Sequence, residues 1–272
     1  MKVLSPAKIN LMLRILGQRD DGYHLLQTYF QLVNWGDEIE FILSQDEGIK
    51  LAGDFGQLRQ KDNLIDKAAR LLIPFKKCNK GICINVSKNI PQGSGLGGGS
   101  SNAATTLRIL NDLWQCKLSQ LQLQQLAIQL GADVPIFVLN QSAMATGIGE
   151  ILQPLALKSY FFVLIFPKTS IPTAKVFSSN HLNRNQTPLE NSAISNKDSW
   201  TNACLPVVLE NYPEVAEIYR LLSKTSPIYM SGTGSTLFSC FDSKTQAQEF
   251  CSSIPSKINH VLCQGLDSNS SK

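Results

Sequence analysis

Apolar and polar positions alternate near the N-terminus. Ile9, Leu11, Leu13 and Ile15 share one face of an extended chain, and Lys8, Asn10, Met12 and Arg14 share the other. A period of two predicts a strand with one buried face. Residues 17–22 (GQRDDG) are a polar turn, and further strands are predicted near 26–33, 39–43 and 82–86. Asp62-Asn63 opens a helix expected over 64–75, with Leu64, Ala68, Leu71 and Leu72 on its apolar stripe. Ala103, Ala104, Leu107, Leu110 and Trp114 recur at the spacing of another helix face. Ser119 and Gln122 form a capping box for the next helix, which Gly131 ends. Asp133 then stands before Val134-Pro135, a helix start signal.

The second half begins with a continuous apolar run, 160–166, followed by Pro167. It predicts a buried strand and marks the start of a second domain, so the expected division is 1–155 and 156–272. The run is too short to span a bilayer. Residues 179–200 are polar and aperiodic, which predicts a mobile loop. A helix is expected over 206–223 and another over 244–251; strands are expected at 228–230, 236–241 and 260–263, and a frayed tail at 267–272. Strands and helices mix without a regular βαβ period, so the predicted class is α+β.

Composition narrows the partners. A chain of 272 residues, 43% hydrophobic and 17% charged, is ordinary for a globular protein with a sizeable core. A net charge of +4 favours anionic small molecules, with no basic run interleaved with aromatics to suggest nucleic acid. The seven Cys contain no C-x-x-C pair, and the three His are far apart in sequence. Both facts point to reduced thiols in a cytoplasmic protein and away from a disulfide framework or a zinc site. Pro6 and Lys8 interrupt the only segment that could resemble a signal peptide. No membrane partner is expected.

The densest chemical signal is the loop of residues 91–101, PQGSGLGGGSS, between a predicted strand and a predicted helix. Glycines let the backbone approach a ligand closely, and the amides of such a loop and of the following helix N-terminus point at anions. Pro91, Gln92, Gly93, Ser94, Gly95, Leu96, Gly97, Gly98, Gly99, Ser100 and Ser101 are therefore the candidate phosphate cradle. Gly93, Gly95 and Gly98 do fit the dinucleotide pattern G-x-G-x-x-G, but the region after the helix is more helix, and a ribose-binding acidic residue needs a second strand about 20 residues on. A Walker A loop requires a Lys, which is absent. A mere connector would not carry five glycines in seven residues, each of which costs backbone entropy on folding.

The segment from Pro91 to Ala104 resembles the ATP-binding signature of the GHMP kinase superfamily, which includes galactokinase and the homoserine, mevalonate and phosphomevalonate kinases. Pro6-Ala7-Lys8-Ile9-Asn10-Leu11, Asp21-Gly22-Tyr23-His24, Gly131-Ala132-Asp133-Val134-Pro135, Ser170-Ile171-Pro172-Thr173 and Ser231-Gly232-Thr233-Gly234 extend the likeness from residue 6 to about residue 238. These motifs resemble members whose alcohol substrate is a cytidine diphosphate-linked methylerythritol. The resemblance implies a two-domain fold: an N-terminal domain like ribosomal protein S5 domain 2, and a C-terminal ferredoxin-like α/β sandwich, with the site in a cleft. It also implies ATP and Mg²⁺, transfer of the γ-phosphoryl group to the 2-hydroxyl of that substrate on the non-mevalonate route to isoprenoids, and a monomer or homodimer.

Roles follow by resemblance, each beside a plainer one. Asp133 matches the catalytic base, although Asp before a helix is commonly an N-cap. Lys8 would lie beside it, keep it ionised and stabilise charge on the transferring group; otherwise it is a solvated strand lysine. Asn10 would orient the substrate. Tyr23 and Phe177 would pack on the cytosine, His24 would hydrogen-bond it, and Thr173 would add a polar contact; an aromatic at the spacing of Phe177 also fits core. Gly232 and Gly234 would approach the phosphates, where a tight hairpin is the ordinary reading. Asn63 would lie near the adenine. No carboxylate cluster identifies a metal ligand, and Ser101 is the only candidate. A homoserine or mevalonate kinase, a Rossmann oxidoreductase and a non-catalytic nucleotide-binding protein remain as alternatives.

Overall fold

The computed structural model describes residues 1–56, 59–155 and 158–266. The tail at 267–272 lies outside the described residues. Packing divides the chain into two compact units of interleaved sequence. The first holds Met1–Ala7, Trp35–Ile90 and Gly97–Asn140; the second holds Lys8–Asn34, Pro91–Leu96 and the chain from Gln141 onward. No single cut in the sequence produces them.

Two long strands contribute to both units: β1, Lys2–Gln18, and β2, His24–Ser44, which pair with each other. β2 runs through the two strands expected at 26–33 and 39–43. Gly36 lets it continue, because a Cβ there would sit 2.0 Å from the Ser5 carbonyl oxygen. In the first unit β2 pairs antiparallel with β4, Gly81–Ser87, and β4 pairs parallel with β3, Ile49–Gly53. Four helices complete it: α1 (Leu64–Leu72), α2 (Gly98–Leu113), α3 (Gln120–Ile128) and α4 (Val134–Leu139). α1 packs on α2, and α4 packs on both α2 and α3. Ala68, Ala69, Ala103 and Ala104 are fully buried, small side chains in a tightly packed interior. Both halves of the predicted Ser119–Gln122 capping box form. The helix expected over 64–75 stops at Leu72 and tightens into a 3₁₀ turn at Ile73–Phe75, where Pro74 has no N–H to continue the ladder.

In the second unit β2 pairs with β5 (Ala143–Thr146), which pairs with β6 (Ile151–Pro154). A second, wholly antiparallel sheet has the order β10-β7-β9-β8, formed by Asn259–Gln264, Phe161–Phe166, Leu237–Phe241 and Tyr229–Met230. Its helices are α5 (Thr173–Phe177), α6 (Leu205–Asn211), α7 (Pro213–Leu222) and α8 (Lys244–Ser253). Pro213 splits the single helix expected over 206–223 into α6 and α7. Val163, Ile165, Val208, Val215, Leu237 and Ala247 are fully buried in its core. Each of the larger ones stabilises the fold by about 1.5–3 kcal/mol relative to exposure.

Two further expectations need correction. Residues 5–13 of β1 are buried on both faces, so the alternation did not mark a solvated side. Lys8 and Asn10 are 3% and 4% exposed and sit in the interior as polar residues. The segment 179–200 is not a free loop. Leu182, Ile194 and Trp200 are buried, the Gln186 amide donates to the Ile15 carbonyl at 2.9 Å, and Gln27 bonds the Leu189 backbone in both directions. Gln186 Oε1 also accepts from Ile15 N at 3.0 Å, and hydrophobic periodicity cannot reveal such bonds to β1 and β2.

Asp37, fully buried, roots the approach to the glycine loop. It accepts from the amides of Asn89 at 2.7 Å and Ile90 at 2.8 Å and pairs with Lys88. Removing a buried carboxylate strands its partners. Asp37→Ala is therefore expected to lower stability by about 3 kcal/mol, read as a drop in the urea unfolding midpoint; a shift worth under about 1 kcal/mol would show that Asp37 is dispensable.

Candidate functional site

The glycine loop divides between the units at Leu96–Gly97. Its first half, in the second unit, is pinned by its carbonyls. Ser94 O accepts from Thr236 N at 3.2 Å, Gly95 O from Ser231 Oγ at 3.0 Å, and Leu96 O from Lys8 N at 3.1 Å. With the carbonyls turned to protein, the loop's amides are the groups left for an anion. Gly95 has φ +77°, and a Cβ there would lie 2.3 Å from the Ser231 carbonyl oxygen. Only glycine meets both conditions. Pro91, Gln92 and Ser94 line an open cleft together with Lys168, Thr169 and Ser170.

The second half, in the first unit, opens α2. Gly97 takes the N-cap position in the left-handed region at φ +72°, and no side chain caps the helix. The first-turn amides and the positive end of the helix dipole therefore suit phosphate. Ser100 is partly exposed, whereas Ser101 is fully buried and its hydroxyl donates to Pro6 O at 2.6 Å beside Ser5 Oγ at 2.8 Å. Ser101 thus ties α2 to β1, and its hydroxyl is committed to protein.

Behind the loop, polar groups on β1 and β2 form a chain. Lys8 Nζ donates to Asn10 Oδ1 at 2.6 Å and lies 5.0 Å from the centre of the Phe30 ring. Asn10 Nδ2 donates to Thr28 Oγ1 at 2.8 Å, which donates to Met12 O at 2.6 Å. The side chain of Asn10 is thereby fixed in orientation, with its oxygen toward the ammonium. The second glycine turn docks on the same group: Asn10 N donates to Ser231 Oγ at 3.1 Å. At Gly232, a Cβ would come within 3.3 Å of both Asn10 Oδ1 and Gly95 O. Asn202 Nδ2 bridges the carbonyls of Met230 and Gly232 at 2.8 Å each, and Thr173 Oγ1 meets Thr233 Oγ1 at 3.1 Å. The structure thus joins Lys8, Asn10, Gly95, Gly232 and Thr173 in one cluster, with Gly234 in the same turn.

A second cluster in that unit is aromatic. The His24 ring stacks on Phe177 with centroids 4.9 Å apart and planes at 25°. Arg184 Nε donates to His24 Nε2 at 3.1 Å. Burial, and then the Arg184 charge, hold the imidazole pKa below its ordinary range. Tyr23 precedes this pair on the turn, 60% exposed.

Asp133 and Asn63 belong to the first unit. Asp133 occupies the N-cap position of α4 and is partly exposed, but its side chain makes no capping bond. The ordinary reason for an Asp in this place is therefore missing. Asn63 does cap: its Oδ1 accepts from Ile65 N at 2.9 Å. Among the described residues no group of three or more His, Cys, Asp or Glu could hold a metal ion, and no helix is long and apolar enough to cross a membrane.

Thr28, Ser231, Asn202 and Arg184 were not singled out by sequence. Thr28 is a lone hydroxyl among buried strand residues, and Ser231 stands inside a quoted motif, so both left a faint signal. Asn202 acts on carbonyls distant in sequence, and Arg184 on nearby carbonyls and on the distant His24; neither left a signal.

Comparison with known proteins sets this geometry in context. Residues 63–141 match the family model described as GHMP kinases N terminal domain, and residues 183–260 match GHMP kinases C terminal. A 4-diphosphocytidyl-2-C-methyl-D-erythritol kinase of Marinomonas sp. (strain MWYL1) is 43% identical over 99% of this chain and 88% of its own. The kinase of the same name from Haemophilus ducreyi is 44% identical over 96% of this chain and 93% of its own. Among solved structures, a 4-(cytidine 5'-diphospho)-2C-methyl-D-erythritol kinase superposes with TM-score 0.84 at 31% identity, covering 97% of this chain and 99% of that one. The mevalonate kinase of Methanococcus jannaschii, at 14% identity and TM-score 0.71, shares the fold.

Gly95→Ala is expected to push the first half of the loop off the Ser231 carbonyl. Affinity for Mg-ADP, measured by calorimetry, should fall at least about tenfold while the far-ultraviolet spectrum keeps its shape; unchanged affinity would show that the loop does not hold the nucleotide.

Proposed function

Because the chain belongs to the GHMP kinases, and within them to the 4-diphosphocytidyl-2-C-methyl-D-erythritol kinases, we propose that it transfers the γ-phosphoryl group of ATP to the 2-hydroxyl of 4-diphosphocytidyl-2-C-methyl-D-erythritol. The products are the 2-phosphate and ADP, on the non-mevalonate route to isoprenoid precursors. The observation that carries the choice of substrate is the His24–Phe177 stack, with Tyr23 exposed on the adjoining turn. An acyclic acid such as homoserine or mevalonate has no ring to match an aromatic surface, whereas a cytosine does.

Phosphoryl transfer asks for positioning and charge stabilisation more than for covalent chemistry. In this reading residues 91–101 hold the ATP phosphates, Gly232 and Gly234 approach them, and Asn63 lies near the adenine. The pinned carbonyls of Ser94, Gly95 and Leu96 and the uncapped start of α2 support that assignment. Asp133 accepts the proton of the attacking hydroxyl, and its role as base is supported by a carboxylate that makes no capping bond. Lys8 keeps the base ionised and stabilises charge on the transferring group. Its support is a buried ammonium held by Asn10, a costly placement for a lysine with structure as its only task. Asn10 orients the substrate, Tyr23 and Phe177 stack on its base, His24 hydrogen-bonds the base, and Thr173 adds a polar contact.

Kinases of this class use ATP, and we extend the reading to Mg²⁺. Mg²⁺ keeps several waters and takes further oxygens from the phosphates, so a site that among the described residues has no group of three or more His, Cys, Asp or Glu fits it. When bound, Mg²⁺ neutralises charge on the β- and γ-phosphates. The matches at 63–141 and 183–260 fall on either side of the expected division between 1–155 and 156–272, which we retain as the division into family domains. The reading takes the enzyme to be cytoplasmic, a monomer or homodimer, with no nucleic-acid partner.

ADP release with Mg-ATP tests the assignment. Turnover is expected with 4-diphosphocytidyl-2-C-methyl-D-erythritol and not with homoserine, mevalonate or no acceptor, and chelation with EDTA should abolish it. Asp133→Asn should lower kcat by about 10²–10⁴-fold, the usual worth of a general base. Turnover with mevalonate or homoserine would discard the substrate, and a variant within a few-fold of the parent would discard the base.

A further inference from the structure

We infer that Arg184 is a positioning residue for base recognition: it fixes His24 as the tautomer with its proton on Nδ1, and by doing so sets a preference for cytosine over uracil. The inference rests on the assignment of His24 to the substrate base.

The argument starts from what a guanidinium can do. It has five N–H donors and no acceptor. Arg184 Nε stands 3.1 Å from His24 Nε2, so that ring nitrogen must present its lone pair. The imidazole is then neutral and its one N–H is on Nδ1. Arg184 does not engage Nδ1, so the Nδ1 proton is the donor that the ring offers a ligand.

Arg184 is also held firmly enough to impose this. Its Nη2 donates to Phe177 O at 2.7 Å and Ser179 O at 2.9 Å, and its Nη1 to Leu182 O at 3.2 Å. Those carbonyls belong to the end of α5 and the turn after it, so the guanidinium closes that turn and fixes the histidine together. The Phe177 ring covers one face of His24 and opposes its rotation. The lowered imidazole pKa agrees with the neutral form.

The consequence is a donor of fixed place at the base edge. Cytosine N3 carries a lone pair and accepts from Nδ1–H; uracil N3 carries a hydrogen and meets it donor to donor. A site built around one buried hydrogen bond discriminates strongly against an analogue that cannot make it. Without Arg184 the ring can move its proton to Nε2, leaving Nδ1 an acceptor that suits uracil.

The test uses the full chain labelled with ¹⁵N-histidine, and with only three His the resonances are assigned by His181→Gln and His260→Gln. At pH 7 His24 is expected as the Nδ1–H tautomer, and Arg184→Met should shift it toward Nε2–H. In parallel, kcat/KM is measured for the cytidine-linked substrate and its uridine-linked analogue. Arg184→Met should lower the cytidine-to-uridine ratio at least about tenfold, through KM more than kcat. Arg184→Lys, which keeps a donor, should retain much of the ratio. An unchanged tautomer in Arg184→Met, or equal losses for both substrates, overturns the inference. If that variant is unstable the parent spectrum still decides, because an Nε2–H resonance for His24 overturns it too. A parent that shows Nδ1–H but does not distinguish the two bases places the failure in the base assignment of the proposed function, and the specificity role falls with it.

Discussion

One hydroxyl holds the cluster of the second unit together. Ser231 Oγ accepts from the Asn10 amide on β1 and donates to the Gly95 carbonyl of the glycine loop, while its own backbone closes the turn at 231–236. Three segments more than 80 residues apart in sequence are thus registered by two hydrogen bonds on one oxygen. The close approach at Gly95 and Gly232 follows, since side chains there would separate the turn from the loop. So does the placement of Lys8. Its ammonium is buried because Asn10, held by Thr28, supplies the oxygen it needs, and an unpaired ammonium in that position would be too costly to keep.

The aromatic cluster is organised differently. The Lys8–Asn10 chain relies on neighbouring strand residues, whereas the His24–Phe177 stack relies on a segment without regular periodicity. Arg184 fastens that segment at Phe177, Ser179 and Leu182, and Gln27 and Ile15 fasten it further along. The proposed phosphate-binding elements are thus backbone features set by glycine, and the proposed base-recognition elements are side chains set by a backbone-bonded strap. The first can be shared by kinases of many substrates, and the second can vary with the substrate, in keeping with function residing in sites grafted on a fold.

What the sequence disclosed follows the same division. The glycine loop, the capping box at Ser119 and the cap at Asn63 are local chemistry, written in consecutive residues, and all stand where their motifs put them. The buried strand at 160–166 was legible because a continuous apolar run has few other uses. The interior setting of Lys8 was not, because alternation reports the polarity of side chains and says nothing of partners such as Asn10 and Thr28. β3, β5 and β6 are five residues or fewer and carry no strong pattern. Arg184 is one cation in a polar stretch, and only the carbonyls it meets distinguish it. The likeness to GHMP kinases named the motifs; hydrogen bonds at Ser231 join three of them, through Asn10 and Gly95.

The interleaving of the two units bears on how the chain is made. The first unit draws on residues up to Asn140, so every segment it needs has been synthesised when about half the chain has emerged. The second unit begins with Lys8–Asn34, yet β2 is joined near its middle by the backbone at Gly265 and Leu266, through the Val33 bridge and the Leu32 carbonyl. The N-terminal segment of the glycine-loop cluster therefore leaves the ribosome well before these partners and must wait for them. Meanwhile the apolar residues of β1 and the ammonium of Lys8 are without their final surroundings, and that interval is when a chain of this kind is most exposed to aggregation.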